Sequence, residues 1–245
     1  MDVGSAAAVG ELLASPPATA GAAIEKALRF DVGRTELVLV RHGQQDRSLA
    51  AGRPGQTDPP LTSIGRRQAA LVGQALGAEA IARIYCSDLT RALETATIVT
   101  AGTRSDNGPT VVPDLREVRL FRELPQDRPL LELLGQDAVE RAAQQFLVTR
   151  RFDAFPFGEP SQELRTRALR ALTAIARAHE GEQVAVVAHG GLINAFLAAV
   201  LGMQQDMFFM PAHASVTRVL YADGRWALST ANETAHLAGE QLVTF

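Results

Sequence analysis

Two short aliphatic runs constrain the fold more than anything else in the chain. "TELVLV" (35–40) and "QVAVVAH" (183–189) are mostly apolar and too short for helices. A strand that is apolar at successive positions is buried on both faces, the signature of a parallel sheet covered by helices on either side. Both runs deliver a histidine to their carboxyl end, as Arg41-His42-Gly43 and His189-Gly190-Gly191.

The rest of the chain supplies the covering layers. Thr62 is placed to cap a helix in which Ile64, Leu71, Val72, Ala75 and Leu76 share a face. "ARIYCS" (82–87) reads as a second strand, followed by a helix lined on one side by Leu89, Ala92, Leu93, Ala96 and Val99. "TVVPD" (110–114) reads as a third strand, and the spacing predicts a helix from about Pro129 to Thr149. Another starts at Ser161 with Leu164, Ala168, Leu172 and Ile175 in register, and an apolar helix runs from Gly190-Gly191 through Leu201. "ASVTRVLY" and "RWALSTA" form a hairpin about Asp223-Gly224.

Strands alternating with helices give a single three-layer α/β domain, residues 34–245, with a mostly parallel central sheet flanked by helices. Residues 1–33 form an Ala/Gly-rich N-terminal extension with one expected helix, Thr19–Phe30, that offers a dimerisation arm. An exposed sheet edge beside the last strands offers a second surface for a homodimer.

Composition removes several function classes. The net charge of −3 provides no basic field for nucleic acid, although the positive charge is nearly all arginine, Lys26 being the only lysine. Cys86 is the sole cysteine, so neither a disulfide framework nor a cysteine zinc site is expected. Pro16-Pro17 interrupts the first apolar stretch and no run approaches the ~20 residues of a membrane helix. A cytoplasmic protein with no membrane association is the expectation.

Ligands in open α/β sheets collect beyond the carboxyl ends of the strands. There this chain places Arg41, His42 and His189, and "CSDLTRALETA" (86–96) adds Arg91 in the first turn of a helix, off its apolar face. Glycine at the strand ends would let the backbone turn sharply and approach a ligand closely. Such a gathering of cationic and donor groups in a slightly acidic protein calls for an anion. Guanidinium forks match phosphate, and a helix N-terminus adds amides and a favourable dipole.

"LVRHG" (39–43), "TDPPLTSIGRRQA" (57–69), "SDLTRALETA" (87–96), "LREV" (115–118), "VVAHGGLIN" (186–194) and "WALSTANETAHL" (226–237) together resemble the histidine phosphatase superfamily, in its phosphoglycerate-mutase-like branch. The resemblance implies the fold of that branch, a phosphohistidine formed on His42, and phosphoryl oxygens bound by Arg41, Arg91 and His189. It also implies an acidic residue that protonates the leaving oxygen. Glu117 sits at the matching position, with Glu123 as the alternative in the same loop. Gln44 fits the pattern after the first histidine, whereas Gln45 replaces the usual small hydroxyl residue. Ser48 falls where the family has asparagine, and the usual Gly-Arg pair comes one residue late, at Gly52-Arg53. With Gly190, these complete the expected substrate-binding set of Arg41, Gln44, Ser48, Arg53, Arg91, His189 and Gly190.

The residues need neither metal nor cofactor, since arginines supply the charge stabilisation. The reading is a phosphatase acting on a small phosphomonoester. A cofactor-dependent phosphoglycerate mutase is the alternative, and a non-catalytic scaffold of the same fold is a third. Residues 119–160, with Arg119, Phe121, Arg122, Arg128, Phe152, Phe155 and Phe157, are expected to cover the pocket or to form local core.

Overall fold

A computed structural model describes residues 34–46, 58–103 and 107–245, with Gly21 besides. The expected N-terminal extension and its Thr19–Phe30 helix lie outside these residues, as do Ser48 and Arg53. Strand β1 (Thr35–Arg41) leads to helix α1 (Ser63–Leu76), then β2 (Ile81–Cys86), α2 (Thr90–Gly102) and a two-residue β3 (Thr110–Val111). Helices α3 (Leu130–Leu134), α4 (Gln136–Thr149) and α5 (Ser161–Ala178) precede β4 (Gln183–Ala188) and α6 (Gly190–Leu201). Strands β5 (Val216–Ala222) and β6 (Arg225–Glu233) and a short α7 (Ala235–Ala238) follow.

The strands form one sheet in the order β3-β2-β4-β1-β5-β6. Pairings among the first four are parallel, and the β5–β6 hairpin joins β1 antiparallel. The two histidine-bearing strands are therefore neighbours at the centre, with Val40 opposite Val187 and Arg41 opposite Ala188. The aliphatic runs divide residue by residue between the two faces. Leu37, Leu39, Val184 and Val186 pack with α5 and α6, and Val38, Val40, Ala185 and Val187 pack with α1 and α2. Among the described residues no helix is long and apolar enough to cross a membrane.

Several local expectations are corrected. Thr62 does cap α1, its Oγ1 accepting from Gly65 N at 3.0 Å, but the buried face is Gly65, Gln68, Ala69, Val72, Gly73 and Leu76, leaving Ile64 exposed. Glycine dictates this rotation: added Cβ atoms at Gly73 or Gly102 would press into the other helix's backbone, so α1 and α2 meet through bare backbone. The helix expected from Pro129 to Thr149 is two helices, broken at Gly135 (φ 75°). The third strand stops at Val111, and Pro113–Leu115 turns into a 3-10 helix. The hairpin turns where expected, with Asp223 (φ 51°) and Gly224 (φ 75°) both left-handed.

Candidate functional site

His42 is carried just past the end of β1, where its N–H donates to Ala188 O at 3.0 Å. The ring is 3% exposed, and its Nδ1 lies 2.7 Å from the carbonyl oxygen of Gly43. Arg91 Nε donates to its Nε2 at 3.2 Å. An arginine has only donors, so Nε2 must be the acceptor and the proton sits on Nδ1. The imidazole is thereby held neutral with its lone pair on Nε2. Desolvation, then the charges of His189, Arg91 and Arg41, hold its pKa well below 6.5.

His189 lies beside it, ring centroids 5.1 Å apart. It is fully buried, and neither ring nitrogen has a hydrogen-bond partner among the described residues. Burial and the neighbouring arginines hold its pKa well below 6.5 too. A buried donor with no partner is costly, so this imidazole is poised for one brought by a ligand.

Arg91 sits on the buried face of α2, only 5% exposed, not off the apolar side as periodicity suggests. The sequence pattern treats arginine as solvent-facing, whereas this guanidinium is turned beneath the strand ends. Burial lowers its pKa from the usual arginine value, but an arginine stays cationic near neutrality. Asp58 is 3.6 Å from Arg91 Nη1 and also accepts from Thr90 N at 2.7 Å, fixing the start of α2.

Arg41 is anchored from the opposite side. Its Nη1 donates to Pro211 O, and its Nη2 lies 3.0 Å from His213 Nε2. His213 is buried, and its Nδ1 meets Thr244 Oγ1 at 2.9 Å. Thr244 Oγ1 also accepts from Gln68 Nε2 at 2.9 Å, while Gln68 Oε1 accepts from Gln44 N at 2.8 Å. A continuous chain of bonds thus links Arg41 to the loop after β1. Ala214 adopts a left-handed conformation (φ 56°) and donates its N–H to His42 O at 3.1 Å. Sequence reasoning missed His213; a histidine between two alanines in a loop gives no signal of its own.

Glu117 caps the start of α6. Its Oε1 accepts from Val118 N (2.9 Å) and Leu192 N (3.0 Å), and its Oε2 accepts from Gly191 N (3.1 Å). A Cβ at residue 191 would overlap Glu117 Oε1, so glycine there makes room for the carboxyl. The Glu117 loop is itself pinned from beneath. Arg167 Nη1 donates to Asp114 O (2.7 Å) and Arg116 O (2.8 Å), and its Nε and Nη2 grip the buried Glu159 at 2.8 and 2.9 Å. Glu123, the alternative acid, has a side chain 60% exposed beside Arg122.

Gly43 serves packing rather than approach to a ligand: a Cβ there would overlap Gly65 O, and one at Gly65 would overlap Gln44 O. The Gln44 side-chain oxygen accepts from Thr62 Oγ1 at 2.8 Å, and it is Gln45 that faces the cavity. The Gly190 carbonyl accepts from Asn194 Nδ2 at 3.0 Å, and Asn194 Oδ1 accepts from Phe208 N at 3.1 Å, tying the 203–212 loop to α6.

Arg41, His42, Arg91, Glu117 and Gly191 line one cavity of about 850 Å³. A nucleophilic nitrogen, two guanidinium groups, a buried imidazole and a carboxyl thus meet at the carboxyl ends of β1 and β4. That arrangement can bind a tetrahedral oxyanion and attack its centre.

The family model describing the histidine phosphatase superfamily (branch 1) matches residues 37–234. The metal-independent phosphoserine phosphatase of Arabidopsis thaliana is 32% identical over 206 residues, covering 83% of this chain and 84% of that protein. A probable phosphoglycerate mutase of Yersinia pestis is 32% identical over 216 residues, covering 82% and 94%. Among solved structures, the mycobacterial glucosyl-3-phosphoglycerate phosphatase in complex with VO3 superposes with a TM-score of 0.65 at 32% identity, covering 81% of this chain and 99% of that one.

Proposed function

The chain belongs to the histidine phosphatase superfamily, and on that premise we propose that it hydrolyses phosphomonoesters through a phosphohistidine on His42. One observation carries the reading: the His42 proton is committed to Gly43 O, so Nε2 presents its lone pair within a cluster of cationic and donor groups. In the first step Nε2 attacks phosphorus and the ester P–O bond breaks. Arg41, Arg91 and His189 hold the phosphoryl oxygens, with Arg91 exchanging its bond to Nε2 for one to phosphate.

Glu117 gives its proton to the departing alcohol oxygen. Its Oε1 already accepts two N–H bonds and its Oε2 only one, so Oε2 is the oxygen with room for that proton. In the second step Glu117 takes a proton from water as the water oxygen attacks phosphorus. The P–N bond breaks and inorganic phosphate leaves.

Proteins with phosphatase and with mutase names are similar to this chain at the same identity, so the experiment must separate release from transfer. Phosphate release is measured alongside a coupled mutase assay primed with bisphosphoglycerate. Hydrolysis that His42→Ala lowers at least about 10³-fold, and that EDTA leaves unchanged, is the expected result. Mutase turnover with little phosphate released would overturn it, and inertness across a phosphomonoester panel would favour a scaffold.

A further inference from the structure

The cavity that holds the reacting groups is far larger than a phosphate requires. Its volume of about 850 Å³ lies toward the upper end of the roughly 300–1,000 Å³ of pockets that enclose drug-sized ligands. Away from His42, the described residues lining it include Leu120, Phe121, Phe146, Phe152, Phe155 and Met207. The rings form a built wall. Phe146 stacks on Phe152 (centroids 5.7 Å, 22°) and meets Phe155 at 5.1 Å, and Phe121 stands edge-on to Phe155 at 5.8 Å. Phe121 holds its place with a left-handed backbone (φ 59°), a conformation that costs a non-glycine residue energy and clusters at ligand sites.

Arg116, Arg119 and Arg122 also line this cavity, and each is within ion-pair reach of a protein carboxylate. Arg116 is clamped by Asp88 (Nε–Oδ1 2.6 Å), Arg119 lies 3.3 Å from Glu163, and Arg122 lies 2.7 Å from the same carboxylate. A substrate bearing its own carboxylate meets guanidinium groups whose charge is already shared with protein carboxylates, and it must sit against phenyl faces that do not solvate it. An apolar body gains from the same wall.

We propose that the phosphomonoesters this site selects carry an aromatic or extended aliphatic alcohol without a carboxylate, in preference to small carboxylated esters such as phosphoserine and phosphoglycerate. This rests on the phosphatase reading.

The experiment compares butyl, hexyl and octyl phosphate below their micelle concentrations, alcohols whose leaving-group chemistry is the same, with phosphoserine and 3-phosphoglycerate. The expected result is kcat/KM rising roughly two- to fourfold per methylene, at least about 16-fold from butyl to octyl, with phosphoserine at least about tenfold below octyl phosphate. Phe155→Ala lowers the octyl-to-butyl ratio about threefold or more. Phosphate released from every ester without dependence on chain length, or with phosphoserine or phosphoglycerate preferred, overturns this proposal alone. No release from any ester overturns the phosphatase reading and this proposal with it.

Discussion

Arg41 Nη2 and His213 Nε2 are 3.0 Å apart, and the guanidinium can only donate, so the His213 proton lies on Nδ1 and faces Thr244 Oγ1. A residue of the loop before β5 thereby sets the direction of an arginine at the end of β1.

His213→Ala removes the acceptor of a charge-assisted bond, leaving Arg41 to lose its orientation toward the phosphoryl group. The expected outcome is a rise of about tenfold in KM and in the inhibition constant of vanadate, with a smaller change in kcat. Steady-state kinetics check it, and His213→Asn, which keeps an acceptor, should recover part of the loss. An unchanged KM would show that Arg41 is held adequately without His213.

Glu117→Gln separates the acid from the nucleophile. An alkyl phosphate needs its leaving oxygen protonated, so kcat should fall by about 10²–10⁴. With p-nitrophenyl phosphate, whose leaving phenolate is stable unprotonated, the first step should fall much less. Burst kinetics on the two esters measure this, and equal losses in the first step would remove Glu117 from that role.

Acid stability follows from the two central histidines. His42 and His189 are held neutral in the fold, with pKa values well below the ordinary 6.5. Below pH 6.5 the unfolded chain binds protons that the folded chain refuses, so stability is full above that pH and falls as pH drops toward the folded values. Each histidine contributes up to about 1.4 kcal/mol per pH unit. Between pH 6.5 and 5.5 the pair should lower Tm by about 5–10 °C, read by circular dichroism. The double variant His42→Asn/His189→Asn should show a shallower dependence; a parallel slope would place the acid sensitivity elsewhere.

Gly43→Ala tests a packing role against a binding role. The new methyl meets the backbone oxygen of Gly65, which cannot give way without moving α1. A loss of about 1–3 kcal/mol in urea unfolding is expected. A variant of unchanged stability but weakened phosphate binding would return Gly43 to the ligand.

The central strands were legible because strands buried on both faces show unbroken aliphatic runs, and β1 and β4 mark their ends with histidine. Arg91 was placed on the right helix but the wrong face, because hydrophobic periodicity cannot see a charge buried to meet another residue's lone pair. The α1 face was misassigned for the converse reason: Gly65 and Gln68 are buried for backbone closeness and hydrogen bonding, neither of which hydropathy registers. His213 and Arg167 act through main-chain atoms and side chains far along the sequence, and only the fold brings those partners to them.

β1 has no partner close to it in sequence. Leu37 pairs with Val184 on one side and Val219 on the other, both laid down long after it. During synthesis the strand that leads to His42 therefore has both edges open while β2, β3 and the helices through α5 are made. Insertion of β4 between β1 and β2 both closes the sheet and brings His189 beside His42. Pairing of one edge of β1 and the meeting of the two histidines thus depend on the same strand, and a chain interrupted before residue 183 would have neither.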